Sequence, residues 1–197
     1  ESSIFELSSS LSRGENNKPT ELGSNVEEYL LHLEENPSAM LGISSGFSRY
    51  DSSIGGGFRR KCVDLIAARP KVGKSMFGDS VGVHVAGKLG IPVLMLDTEM
   101  SKEDHFNRLL AQHSKIDIND ISTGKFVKIV NGKERVAQAS NKIQEMPLDY
   151  ISIAGKPFEE TLSIIRRWLI KKVGFDENGR INDCMIIYDY LKLMASD

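Results

Sequence analysis

The chain is poor in the features that mark several protein classes. It has two cysteines, Cys62 and Cys184, and four dispersed histidines in 197 residues. That excludes a disulfide framework and leaves no His/Cys spacing suited to zinc. No apolar run approaches the ~20 residues of a membrane helix, and the N-terminus lacks the basic start and apolar segment of a secretory signal. The expectation is a cytoplasmic protein with no membrane partner. An excess of charge is also missing: 25 Lys+Arg stand against 27 Asp+Glu, a net charge of −2. Any nucleic-acid surface must therefore be a local basic path or one formed in an oligomer. Both cysteines sit in apolar runs beside a charged residue, and core positions on two strands are expected for them.

What is present is the composition of one globular core, 40% hydrophobic and 26% charged. Residues 1–42 read as an N-terminal extension and linker. A Ser-rich start, ESSIFELSSSLSR, passes into polar GENNKPT. TELGSNVEEYLLHLEENPS then places Val26, Tyr29, Leu30 and Leu33 at helical spacing and stops at Asn36-Pro37. A free helix of that length is marginal, so its stripe needs a partner, either this chain's own domain or a neighbouring subunit. SGFSRYDSSIGGGFRRKC, with Gly55, Gly56 and Gly57, supplies turns and opens a domain covering 43–197.

From residue 62 apolar runs alternate with helical patterns. VDLIAA (63–68) reads as a buried strand, 74–88 as a helix, IPVLMLD (91–97) as a second strand and 101–114 as a helix. The stretch 117–122 is short, NGKERVAQASNKIQEM is helical, and LDYISIA (148–154) is a third strand. Residues 158–172 form a helix with Leu162, Ile165, Trp168 and Leu169 on its apolar side, and CMIIYDY (184–190) is a fourth strand. The predicted fold class is α/β, a mostly parallel sheet flanked by helices on both faces.

The chemistry points to AARPKVGKS, Ala67 to Ser75, which lies between a strand and a helix. A polyphosphate needs converging backbone N–H groups, the positive end of a helix and a mobile ammonium. Gly73 permits close approach, Lys74 supplies the charge and Ser75 offers a hydroxyl to Mg²⁺. The competing reading is a plain turn with Lys74 solvated. A cation in a first helical turn opposes the dipole unless an anion meets it. Ala68 stands where a first glycine is usual, and its methyl is tolerated unless the backbone there needs positive φ.

Two strand-end acids complete the candidate set: Asp189 after MIIY for the metal, and Glu99 after VLMLDT to orient a water. Asp97 competes with Glu99 and is the expected structural acid, and capping of the following helix is the ordinary alternative role for this region. His84 reads as local packing, His105 and His113 as surface or interface. Arg59, Arg60 and Lys61 read as solvated surface, and Trp168 as core.

Several separated stretches together resemble the C-terminal ATPase domain of DnaB-family hexameric replicative helicases, a RecA-like P-loop NTPase core. SGFSRYDSSIGGGF, DLIAARPKVGKS, VLMLDTEMS, STGKF, MPLDYISIAGKPFEETLSIIRRW, GFDENG and IIYDYLKLM occur in that family's order, over residues 43–194. Ala commonly replaces the first loop glycine there. The resemblance implies ATP and Mg²⁺ as cofactors. It implies nucleotide contacts from Ala68, Arg69, Pro70, Lys71, Val72, Gly73, Lys74, Ser75 and Met76, with Lys74 and Glu99 catalytic and Ser75 and Asp189 on the metal.

It further implies ATP hydrolysis coupled to translocation on single-stranded DNA in a homo-oligomeric, hexameric ring, with primase as a further partner. The origin would be bacterial, or a phage acting in the host cytoplasm. Lys192 departs from a frequent glutamine. The fold is expected to be incomplete at the C-terminus, with later strands, DNA-binding loops and an arginine finger beyond Asp197. The Val26–Leu33 helix resembles the linker that docks on an adjacent subunit. Two other readings stay open: a RecA-like recombination or loading ATPase without unwinding, and a non-catalytic nucleotide-binding assembly module.

Overall fold

The computed structural model describes residues 21, 23–35, 37, 42–177 and 179–190. The Ser-rich start, the stop expected at Asn36 and the departure at Lys192 lie outside them. The chain divides into two compact units, Glu1–Ala39 and Met40–Asp197. In the first, helix α1 (Val26–Glu35) has no buried side chain and carries Glu27 and Glu28 in its first turn, where they favour the dipole.

The second unit begins with an antiparallel bridge between Ile43 and Phe58 that brackets α2 (Ser48–Ser53) and the glycine turn. Asp51 is buried and organises this segment. Its carboxylate accepts from the Ser45 amide at 2.9 Å and the Ser44 hydroxyl at 2.7 Å. Helix α3 (Lys74–Leu89) ends on Gly90 at φ 67° and leads into β1 (Val93–Asp97). Helix α4 (Lys102–Ser114) starts from Ser101, which forms a capping box with Asp104. Short α5 (Ile118–Ser122), a 3₁₀ turn at Lys125–Lys128 and α6 (Gly132–Gln144) follow. β2 (Leu148–Ser152), α7 (Phe158–Trp168), a wider helical turn to Val173 and β3 (Met185–Asp189) complete the unit. No helix among the described residues is long and apolar enough to cross a membrane.

The three strands are parallel in the order β2-β1-β3. β1 is buried along its whole length because it has a neighbour on each edge and helices on each face. Its side chains alternate between two cores. Val93 and Met95 join Val81, Val85 and Ala86 of α3 with Ile43 and Phe58. Leu94 and Leu96 join Ile153, Trp168 and Val173 on the other side. Trp168 is core, as expected, and its indole Nε1 donates to Asp149 Oδ2 at 2.7 Å. Period two then places Asp97 and Asp189 on the face that α3 covers. α3 lies close to that face: a Cβ built on Gly82 would sit 3.2 Å from Ile187 Cδ1.

One expected strand is not formed. Val63 to Ala68 lie outside any ladder and are exposed, Val63 to 94% and Leu65 to 78%. An apolar run shows that a strand suits its residues, but the ladder needs a neighbour to supply the opposite N–H and C=O groups. β1 has both edges taken, and residues 63–68 do not occupy the outer edge of β2 or β3. Cys62, expected in the core with that strand, is therefore exposed, whereas Cys184 packs against the second core.

Candidate nucleotide site

The loop before α3 is open. Residues 67 to 73 are exposed, and Lys74 and Ser75 are half-buried at the helix start. Gly73 adopts φ 109° as the residue preceding α3, a conformation that favours glycine, with nothing within 4 Å of the space a Cβ would fill. Lys71 also takes positive φ, 66°, and Val72 N donates to the Arg69 carbonyl at 3.3 Å. Ala68 is not in the positive-φ region, so its methyl carries no backbone penalty. The first turn of α3 has no side-chain cap and no acid. Its N–H groups therefore face outward with the helix dipole behind them, as binding an anion requires.

Across the mouth of this loop the Lys74 ammonium forms an ion pair with Asp189 Oδ1 at the end of β3. Both side chains are partly shielded, 30% and 18% exposed, and Lys74 Nζ also lies 5.0 Å from the centre of the Tyr190 ring. Parallel pairing puts Asp97 opposite Asp189. The Thr98 amide then donates to the Asp189 carbonyl at 2.9 Å. Glu99, one residue on, is exposed at this same end of the sheet. The pairing thus brings the ends of β1 and β3 together, and the ion pair brings Lys74 to the end of β3.

Asp97 has the structural role expected of it. It is 2% exposed, and its Oδ1 accepts from the amides of Glu99 at 2.6 Å and Met100 at 2.7 Å. The turn is also held from β2, where the Tyr150 hydroxyl donates to the Met100 carbonyl at 2.6 Å. His105, expected at the surface or an interface, is instead buried between Asp97 and Asp79 of its own domain, and His113 is half-buried. The one sign in the sequence was Asp79, an acid on a helix expected to pack on the sheet, but nothing local named the residue that would meet it. Arg60 belongs to an ion pair, its guanidinium bidentate on Asp183, whose carboxyl it holds below the usual range.

The residues suit a nucleotide with magnesium: uncapped helix amides, a glycine with open space before it, an ammonium, a hydroxyl and a carboxylate at one mouth. A parallel sheet between two helical layers, with the candidate site at the carboxyl ends of its strands, defines an α/β protein of the class that takes ligands at its strand ends, and its structural neighbours share the RecA-like fold. The profile of the DnaB-like helicase C terminal domain matches residues 42–197, and the chain belongs to that family. The replicative DNA helicase DnaB of Haemophilus influenzae is 28% identical over 194 residues, covering 98% of this chain and 40% of that protein. The Geobacillus stearothermophilus DnaB is 29% identical, covering 86% and 36%. This chain thus spans well under half the length of these relatives. Among solved structures, an ATPase domain superposes with a TM-score of 0.72 at 23% identity, covering 87% of this chain and 58% of that one. A DnaB-like replicative helicase, studied for its interactions with primase, superposes at 0.74 and 21%, covering 98% and 45%. Both likenesses concern the fold.

Proposed function

We propose that this chain is the nucleotide-binding part of a replicative DNA helicase motor, hydrolysing ATP to drive movement along single-stranded DNA. The observation that carries the proposal is the ion pair between Lys74, at the start of α3, and Asp189, at the end of β3, beside the turn that bears Glu99. Family membership and the names of the relatives support the helicase reading and primase as a partner, and the proposal extends to a homo-oligomeric, hexameric ring acting in the cytoplasm.

In this reading the amides of Arg69 and of residues 71–76, with the α3 dipole, receive the phosphates. Lys74 exchanges Asp189 for phosphate oxygens and stabilises the charge that builds up during transfer. Ser75 and Asp189 would hold magnesium, which when bound neutralises charge on the β- and γ-phosphates. Glu99 accepts a hydrogen bond from the attacking water and orients it. Asp97 does not compete for that role, since both of its oxygens are already engaged.

Lys74→Ala and Glu99→Gln, each made in the intact protein, are expected to lower the DNA-stimulated ATP turnover number at least ~100-fold. Glu99→Gln should retain nucleotide binding and Lys74→Ala should weaken it. Unchanged turnover in both variants would end the enzymatic reading, and turnover without strand displacement would end the helicase reading.

A further inference from the structure

His105, one turn into α4, is 5% exposed and lies between two buried carboxylates from different elements. Its Nδ1 is 3.1 Å from Asp79 Oδ1 on α3, and its Nε2 is 3.1 Å from Asp97 Oδ2 at the end of β1. Asp79 Oδ2 in turn accepts from Arg108 at 3.1 Å. The row Arg108, Asp79, His105, Asp97 therefore alternates in sign if the imidazole carries its second proton. The ring of Tyr150 packs against it with centroids 4.9 Å apart.

The second proton follows from the hydrogen-bond inventory. An ionised carboxylate only accepts, so an imidazole with a carboxylate at each nitrogen needs a proton on both. A neutral ring would turn one lone pair toward a buried carboxylate oxygen. Burial by itself opposes the imidazolium, but the hydrogen bonds and charges of Asp79 and then Asp97 outweigh it, so the His105 pKa is raised from its ordinary value. The charged or titratable groups facing this cluster are Asp79 from α3, Asp97 from β1, Tyr150 from β2, and Asp104 and Arg108 from its own helix. Burial pushes the Tyr150 phenol up, away from neutral pH.

The position of this bridge gives it a consequence for the site. Asp97 divides its carboxylate between His105 and the amides of Glu99 and Met100. Asp79 belongs to the helix whose first residue is Lys74. We propose that His105 is a positioning residue: as a doubly protonated bridge from Asp79 to Asp97 it fixes the turn carrying Glu99 relative to the helix that begins at Lys74. The inference rests on the assignment of Glu99 and Lys74 to hydrolysis. Its pH dependence follows from the raised pKa. The bridge is intact below the ordinary histidine value of ~6.5 and is lost as pH rises through the higher folded-state value. A misplaced water-orienting group lowers the rate of the chemical step without touching the loop that binds nucleotide.

The test has two parts, both on the intact protein. Histidine-selective ¹⁵N labelling, with His105 assigned by difference against His105→Gln, reads protonation directly. Both His105 nitrogens are expected to carry protons at pH 7, and a neutral ring at that pH overturns the inference whatever the variant does. In steady-state ATPase measurements His105→Gln is expected to lower kcat about 10- to 100-fold with less than about a threefold change in KM. The parent is expected to show an alkaline fall in kcat, and the variant should lose it. Unchanged kcat, a KM effect of equal size or an unaltered pH profile overturns it. If Glu99→Gln keeps full turnover, the site assignment fails and this inference falls with it. A neutral His105 removes the inference alone.

Discussion

The turn from Asp97 to Ser101 and the segment from Val63 to Gly73 both run from apolar sequence into the site, yet they are held in opposite ways. The turn leaves a strand with neighbours on both edges. Its amides are taken by Asp97, one of its carbonyls by Tyr150, and its Thr98 amide by the Asp189 carbonyl. The other segment has no ladder and exposes its apolar side chains, and the helix that follows it has no side-chain cap. The contrast suits the two tasks proposed for these segments. A group that orients water must be fixed before the reaction, because its value lies in dipoles that need not reorganise. A phosphate cradle receives its acceptors from the ligand itself.

Hydrogen exchange measures this contrast directly and should show the largest effect. The amides of Met95 to Asp97 are expected to exchange on the order of 1,000-fold or more slowly than those of Leu65 to Ala68. A non-hydrolysable ATP analogue with magnesium should slow exchange across residues 69–76 and leave β1 unchanged. Equal rates in the two segments before ligand is added would abolish the contrast. Asp97→Ala should come next in size, since it leaves His105 without one of its two acceptors and frees two amides. A loss of about 3–5 kcal/mol is expected in urea unfolding, typical of breaking a buried pair. A loss below about 1 kcal/mol would mean the turn is held mainly by its backbone bond to Asp189 and by Tyr150.

How much of this was legible in the sequence depends on the range of each interaction. Helix limits followed from local signals: Gly73 and Gly90 bound α3, and Ser101 with Asp104 starts α4 where the capping pattern stands. The positions of Asp97 and Asp189 at strand ends followed from the apolar runs before them, whereas their meeting on one face depends on the register of β1 with β3. The state of VDLIAA did not follow, since strand pairing depends on a neighbour that no local pattern names. The role of His105 was hidden for a similar reason. A lone histidine at position four of a polar helix looks exposed until Asp79 and Asp97, 26 residues before it and 8 residues before it, are seen to meet it. Register within one element is readable from its own residues, whereas meetings between elements need the fold.

The smallest effect concerns Ala68, at the start of the open segment. Its φ is not positive and its surroundings are exposed, so a glycine there relieves no strain in the folded chain. The substitution does widen the unfolded ensemble. Ala68→Gly is therefore expected to cost about 0.4–1 kcal/mol in urea unfolding and to leave the Kd for nucleotide within about twofold. The two readouts separate the two ways a methyl can act. Lower stability with unchanged affinity means that the methyl matters only to the unfolded chain, and the loop tolerates alanine because its backbone never needed glycine. A tenfold gain in affinity would mean that the bound loop takes up a conformation the methyl resists. The open form of the segment would then differ from the phosphate-bound form at Ala68 itself, and the contrast with the fixed turn would extend to the backbone as well as to its hydrogen bonds.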